Sequence, residues 1–219
     1  MKRVLFLVLS LWLPLIVAAA PLKSSTFEVS GWIPYWREDL GTEEVLPKLH
    51  ALTAVNPFGY TVNESGVVND VMGVIDEPWK TFNAEAKKKK VRLIPTVMWH
   101  DGASIHEVLS DPVKRTAHIQ NIVNIVENEG FDGIDIDYEG KWAETKPYFS
   151  LFLKEFYAAM GNHWVYCTIE PRTPPEAAFG RVPENLQYAN DYSFVSKYCD
   201  RVVIMAYDQG TIDLQLNKA

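Results

Sequence analysis

One stretch limits what this chain can fold into more than any other: Phe131-Asp132-Gly133-Ile134-Asp135-Ile136-Asp137-Tyr138-Glu139-Gly140. The acids Asp135, Asp137 and Glu139 alternate with Ile134, Ile136 and Tyr138, the period-two pattern of a strand. Side chains at i, i+2 and i+4 of a strand share one face. The pattern therefore predicts three carboxylates pointing into one space, with the apolar residues buried on the opposite side. Like charges on a shielded face cost stability unless protons are shared or partners supplied. A local rule broken in this way marks a functional site. The other two readings are a solvated acidic strand and a cation site. The apolar residues between the acids, and the bracketing Gly133 and Gly140, argue against a solvated edge. The loop rich in Asn, Gly and carbonyl ligands that suits calcium is missing. Catalysis is the reading these residues favour.

The rest of the chain supplies a scaffold for such a strand. A strand–helix rhythm runs from Phe27 onward. Candidate strands are Glu28–Pro34, Leu52–Tyr60, Val91–Trp99, Gly133–Tyr138, Trp164–Glu170 and Arg201–Tyr207. The clearest helix follows Asp111-Pro112 and ends at Gly130, with an acid to cap it, proline in its first turn and glycine at its stop. Val113, Ile119, Ile122, Val123 and Val126 would form its apolar stripe. Further helices are expected over Glu77–Lys89, Pro147–Met160 and about Glu184–Tyr198.

Alternating strands and helices imply a parallel sheet, either open and doubly wound or closed as a (β/α)8 barrel. No Gly-rich phosphate loop follows the first strand. Polar and aromatic residues gather instead at strand ends: Tyr35 and Trp36, Trp99 and His100, Glu139, Glu170 and Arg172, Tyr207 and Asp208. Barrel enzymes place catalytic groups there, so the expected fold is an α/β TIM barrel. Only six of its eight strands can be found, which leads us to expect an incomplete barrel from a truncated reading frame or a fragment.

Met1 to Ala20 has the basic start, apolar run and small-residue end of a secretory signal. The expected organisation is a signal peptide over 1–19, a short linker over 20–26 and a catalytic barrel over 27–219. The protein would then be secreted or held in the cell envelope. Net charge is −7, and the one basic run, Lys87–Lys90, closes a predicted helix where cations suit the dipole. Nucleic acid is therefore not an expected partner, nor is a membrane after signal removal. Histidines show no metal-ligand spacing, and no metal or cofactor is expected. Cys167 and Cys199 fall on or beside neighbouring strands, either as a disulfide or as buried free thiols.

The acidic strand also resembles a known signature. Asp132-Gly133-Ile134-Asp135-Ile136-Asp137-Tyr138-Glu139 matches every fixed position of D-G-x-D-x-D-x-E, the mark of glycoside hydrolase family 18, which holds chitinases and related N-acetylglucosaminidases. Met205-Ala206-Tyr207-Asp208 is similar to the family's M-x-Y-D segment on the sixth strand. Gly31-Trp32-Ile33-Pro34-Tyr35-Trp36 is similar to its first strand, often G-Y-Y-x-x-W. Pro95-Thr96-Val97-Met98-Trp99-His100 departs from the S-x-G-G that often ends the third strand.

The resemblance covers about Phe27 to Asp208. It implies a barrel glycosidase acting on β-1,4-linked N-acetylglucosamine polymers, either chitin or peptidoglycan glycan. It implies substrate assistance in place of a carboxylate nucleophile. Glu139 would protonate the glycosidic oxygen, Asp137 orient the 2-acetamido group, Asp135 share a proton with Asp137, and Tyr207 bond the acetamido oxygen. Tyr35, Trp36, Trp99, Met205 and Asp208 are the expected substrate contacts, with Trp142 a further aromatic for stacking. The alternative is a sugar-binding protein without turnover. Inactive relatives usually lose the terminal acid, which is present here as Glu139.

Overall fold

The computed structural model describes residues 27–172 and 187–207. The expected signal peptide and linker lie outside the described residues, as does Asp208. Strands are β1 (Trp32–Pro34), β2 (Ala54–Val62), β3 (Val68–Asp70), β4 (Arg92–Leu93), β5 (Thr96–Trp99), β6 (Gly133–Tyr138), β7 (Trp164–Ile169) and β8 (Arg201–Ile204). Helices are α1 (Glu38–Val45), α2 (Trp79–Lys88), α3 (Gly102–Ser110), α4 (Pro112–Glu129), α5 (Lys146–Met160) and α6 (Tyr192–Tyr198).

Six strands run parallel in the order β1-β2-β5-β6-β7-β8. The result is a half-barrel, an incomplete form of the expected (β/α)8 architecture. Four local features differ from the sequence reading. The third strand is split into β4 and β5 around Ile94-Pro95, and both pieces pair with β2. Proline has no N–H to give a ladder. The short β3 folds back antiparallel on β2. Helices α1 and α3 were not expected; α3 is capped by Asp101, whose carboxylate accepts from the Ala103 N–H at 3.1 Å. Among the described residues the last predicted helix begins at Tyr192, because Asp191 caps it there by accepting from the Ser193 N–H; the start of the expected range, 184–186, lies outside the described residues.

The packed layer lies between sheet and helices. In α4, Asp111 accepts from Val113 and Lys114 N–H, and Gly130 closes the helix at φ 61°. Its buried stripe is displaced from the expected one. Val113 is 77 % exposed, while Arg115 and His118 are buried. Two polar residues can occupy this stripe because each finds partners. Arg115 donates to Glu155 and to the Leu109 carbonyl. His118 Nδ1 lies 2.6 Å from the Gly66 carbonyl, and its Nε2 contacts the Tyr138 hydroxyl. Helix α5 adds Phe149, Phe152 and Phe156, stacked along one face with the last two ring centroids 5.4 Å apart. Lys87–Lys90 are exposed, as a solvated helix end should be.

Glu28 ties the lower rim together. Its carboxylate pairs with Arg92 at 2.7 Å and Arg201 at 2.6 Å, and accepts from the Tyr166 hydroxyl at 3.2 Å. Burial alone would raise this carboxyl, but the Arg201 and Arg92 guanidinium groups overcome it and hold it at about 2. A carboxyl depressed on folding stabilises the native state above its unfolded value and ceases to do so as pH falls through its folded value. Glu28→Gln is therefore expected to cost about 1.5–3 kcal/mol at neutral pH, the usual worth of hydrogen bonds to charged groups. The gap between variant and parent should close as pH falls from about 4.5 to about 2. Urea melts across that range check it. A pH-independent gap would mean that the charge is irrelevant.

Candidate active site

Strand β6 delivers the acids. It can lie against β7 because residue 133 is glycine: a Cβ there would come within 2.1 Å of the Trp164 carbonyl oxygen. Ile134, Ile136 and Tyr138 face the helices and are wholly buried. Burial lowers the His118 pKa to about 4, against the pull of the Gly66 carbonyl. The neutral ring donates from Nδ1 to that carbonyl, which leaves Nε2 to accept from the Tyr138 hydroxyl. This anchor fixes the outer face of β6 and so the aim of its inner face.

The inner face presents the acids at graded depth. Asp135 is 0 % exposed, Asp137 3 %, and Glu139, just past the strand end, is half-buried. Asp135 accepts from Trp32 Nε1 at 3.2 Å, Thr96 Oγ1 at 2.9 Å and Thr168 Oγ1 at 2.9 Å, so β1, β5 and β7 all converge on it. Asp137 Oδ1 is buried without a hydrogen-bond partner among the described residues. Burial first, then the charges of Asp135 and Glu139, push the Asp137 carboxyl up to about 8, with Lys141 opposing. Burial raises Asp135 as well, but hydrogen bonds from Thr168, Trp32 and Thr96 pull it back. Both carboxyls are raised, so the pair keeps a proton near neutrality, and the donors aimed from three strands favour the anion at Asp135. Such a cluster can pass a proton between neighbours and stabilise positive charge that develops beside it.

The other expected site residues are dispersed along the same strand ends. Tyr35 and Trp36 follow β1, 39 % and 63 % exposed, with ring centroids 5.0 Å apart. Trp142 is 46 % exposed beyond β6. Met205 is buried and donates its N–H to the Ile169 carbonyl. Tyr207 lies in the turn after β8 and is largely exposed.

Trp99 is placed differently from the expectation of a sugar-stacking platform. It is paired in register with Tyr138, and so shares the helix-facing side of the sheet. Tyr138 and His118 pack against its ring at 5.4 and 5.2 Å, and its Nε1 donates to Ser104. The inward residue beside Asp137 is Met98 instead. A cleft of about 600 Å³ opens next to it, lined by Thr61, Asn63, Glu64, Met98, His100 and Asp101 among others.

Several site residues escaped the sequence reading. Trp32, Thr96 and Thr168 serve Asp135, and Lys141 and Asn190 surround Glu170. The two threonines sit at inward positions of the strands flanking β6, a signal visible only once the strands are aligned. Among the described residues no group of His, Cys, Asp or Glu is disposed to hold a metal ion, and no helix is long and apolar enough to cross a membrane. The cysteine alternatives resolve into a disulfide, Cys167–Cys199, with Cα atoms 5.9 Å apart.

Comparison with known proteins agrees with this geometry. The family model described as glycosyl hydrolases family 18 matches residues 31–215. The uncharacterised glycosylase YvbX of Bacillus subtilis (strain 168) is 21 % identical over 185 residues, covering 81 % of this chain and 51 % of that protein. Among solved structures, a chitinase from Bacteroides thetaiotaomicron superposes with a TM-score of 0.66 at 21 % identity, covering 84 % of this chain and 55 % of that one. The Bacillus cereus spore cortex-lytic enzyme SleL gives a TM-score of 0.66 at 18 % identity, covering 84 % and 41 %. The chain thus spans about half the length of these relatives.

Proposed function

The chain belongs to glycosyl hydrolases family 18, and on that premise we propose that it cleaves β-1,4 bonds of an N-acetylglucosamine-containing polysaccharide, chitin or peptidoglycan glycan, by substrate-assisted retaining catalysis. The observation that carries this reading is the Asp137 carboxyl, buried and raised to about 8 between Asp135 and Glu139 on one strand face. A retaining enzyme with its own nucleophile needs an ionised carboxylate at the anomeric carbon. Asp137, holding its proton near neutrality, is poorly suited to that task and well suited to steering a substrate amide.

In this mechanism Glu139, nearest the open end, donates its proton to the glycosidic oxygen as that bond breaks. The 2-acetamido carbonyl oxygen of the same sugar attacks the anomeric carbon and forms an oxazolinium ion. Asp137 orients the acetamide N–H and, by releasing its proton toward Asp135, offsets the positive charge. Water then opens the ring, giving its proton back to Glu139 and retaining the anomeric configuration. Tyr207 bonds the acetamido oxygen. Tyr35, Trp36 and Trp142 offer exposed ring faces to the apolar faces of pyranose rings, and Met205 and Asp208 are further substrate contacts in this reading, Asp208 lying outside the described residues. No metal or cofactor enters this scheme.

We place the protein outside the cytoplasm, secreted or in the cell envelope. The basic and apolar start of the chain supports this, as does the Cys167–Cys199 disulfide, since such bonds persist in oxidising compartments.

Paired substrates test the proposal. An N-acetylated chitooligosaccharide should be cut, and the same oligomer stripped of its acetyl groups should not, because the attacking oxygen is gone. Equal turnover of both would overturn substrate assistance. Tight binding of the acetylated oligomer with no new reducing ends would favour a sugar-binding role.

A further inference from the structure

Beyond the strand, β6 continues into a tight turn whose fastening the acidic motif does not explain. Lys141 is 8 % exposed, with its side chain almost wholly enclosed. Its Nζ donates to the Tyr138 carbonyl oxygen and lies 3.4 Å from Glu170 Oε2. Glu170, just past the end of β7, accepts from the Gly140 N–H through Oε1 at 2.9 Å and from Asn190 Nδ2 through Oε2 at 3.0 Å. The Tyr138 carbonyl and the Gly140 amide belong to the two peptide groups on either side of Glu139. One is held by Lys141, the other by Glu170, and the two holding groups are paired with each other. A third bond, from the Glu139 N–H to the Trp99 carbonyl at 2.8 Å, completes the grip. Gly140 makes the turn possible at φ 64°.

We propose that Lys141 and Glu170 are positioning residues of the active site: together they clamp both peptide groups of Glu139 and fix where its carboxyl stands relative to Asp137. The proposal rests on the assignment of Glu139 as the acid. A general acid must reach the leaving oxygen within hydrogen-bond distance, and displacement by about an ångström costs rate steeply. Past the end of β6 one backbone bond, from the Glu139 N–H to the Trp99 carbonyl, still holds the residue on one side, and the clamp adds side-chain bonds to the two peptide groups that flank it.

The clamp is also charged, so it is coupled to the acids it positions. Asp137 on β6, Glu139 just beyond it and Glu170 just beyond β7 all bear on the Lys141 ammonium, with the Phe149 ring of α5 4.8 Å away. Arg172 and Asn190 line the same small cavity. Burial lowers the Lys141 pKa, and the three carboxyls oppose it. Burial would raise Glu170, but Lys141, Asn190 and the Gly140 amide bring it below the usual carboxylate range.

The test uses Lys141→Met, Lys141→Arg and Glu170→Ala, read by carboxyl-carbon NMR titration of Asp137 and by kcat and KM on an N-acetylated chitooligosaccharide. Lys141→Met removes a facing cation and should raise the Asp137 midpoint by about one unit or more. Glu170→Ala removes a facing anion and should lower it. Both should reduce kcat by about tenfold or more with little change in KM, and Lys141→Arg should recover most of the Met variant's loss. Opposite midpoint shifts cannot come from loosened packing, which both variants share. Midpoints unmoved in both variants, or kcat within twofold of the parent, would overturn the proposal. If one variant fails to fold, the other still gives a signed shift. If the parent cuts no N-acetylated substrate, the functional assignment fails, and the NMR midpoints still decide whether the clamp couples to the acids.

Discussion

Replacing Glu139 with Gln is expected to lower turnover of an N-acetylated chitooligosaccharide by about 10²–10⁴-fold, the usual worth of a positioned general acid–base group. Gln has nearly the same shape and keeps an acceptor oxygen, but it has no proton to give to the glycosidic oxygen. Affinity should be nearly unchanged, because the exposed rings of Tyr35, Trp36 and Trp142 are untouched. Stability should also hold, since Glu139 is only half-buried and its backbone bond to Trp99 remains. Steady-state kinetics beside oligosaccharide binding and a thermal melt separate these effects. A variant within threefold of the parent in kcat would exclude Glu139 as the acid and move the search to Asp137. The contrast with Asp137 is itself informative. Asp137→Asn keeps a neutral group at a position already raised to about 8. It removes only the ability to ionise when the oxazolinium charge forms.

Removing the disulfide should produce the largest change in stability. Cys167 and Cys199 are 32 residues apart in sequence, and both are buried. Closing a loop of that length in the unfolded chain is worth about 3–4 kcal/mol on the entropy model. The bond joins β7 to the segment between α6 and β8. Its loss should therefore be felt first at β8, which follows it and carries Met205 and Tyr207 at its end. Cys167→Ala with Cys199→Ala, compared with the parent by urea unfolding, measures the effect. Dithiothreitol should destabilise the parent to a similar degree and leave the double variant unchanged. If reduction does not move the parent's unfolding midpoint, the bond adds nothing to stability, and one support for an oxidising compartment goes with it.

The sequence alone determined what depends on local periodicity and local chemistry. Alternation placed Asp135, Asp137 and Glu139 together, because side-chain direction in a strand repeats every two residues whatever surrounds it. Asp111, Pro112 and Gly130 bounded α4, because caps act within one turn. The strand–helix rhythm gave a parallel half-barrel, and the family resemblance agreed with the later family match over residues 31–215.

What the tertiary structure decided was every property set by residues far apart in sequence. The partners of Asp135 come from positions 32, 96 and 168, and only strand register brings them to one point. Register turned Trp99 toward the helices, where Tyr138 and His118 cover it, although its place at a strand end had suggested an open ring. Arg115 and His118 displaced Val113 from the buried stripe of α4, because burial of a polar side chain depends on partners that periodicity cannot reveal. The choice between disulfide and free thiols needed the distance between two backbones. The division of labour within the acidic strand had the same origin. Asp135 and Asp137 sit in different surroundings because the fold sends three donors to Asp135 and leaves an oxygen of Asp137 buried without one among the described residues.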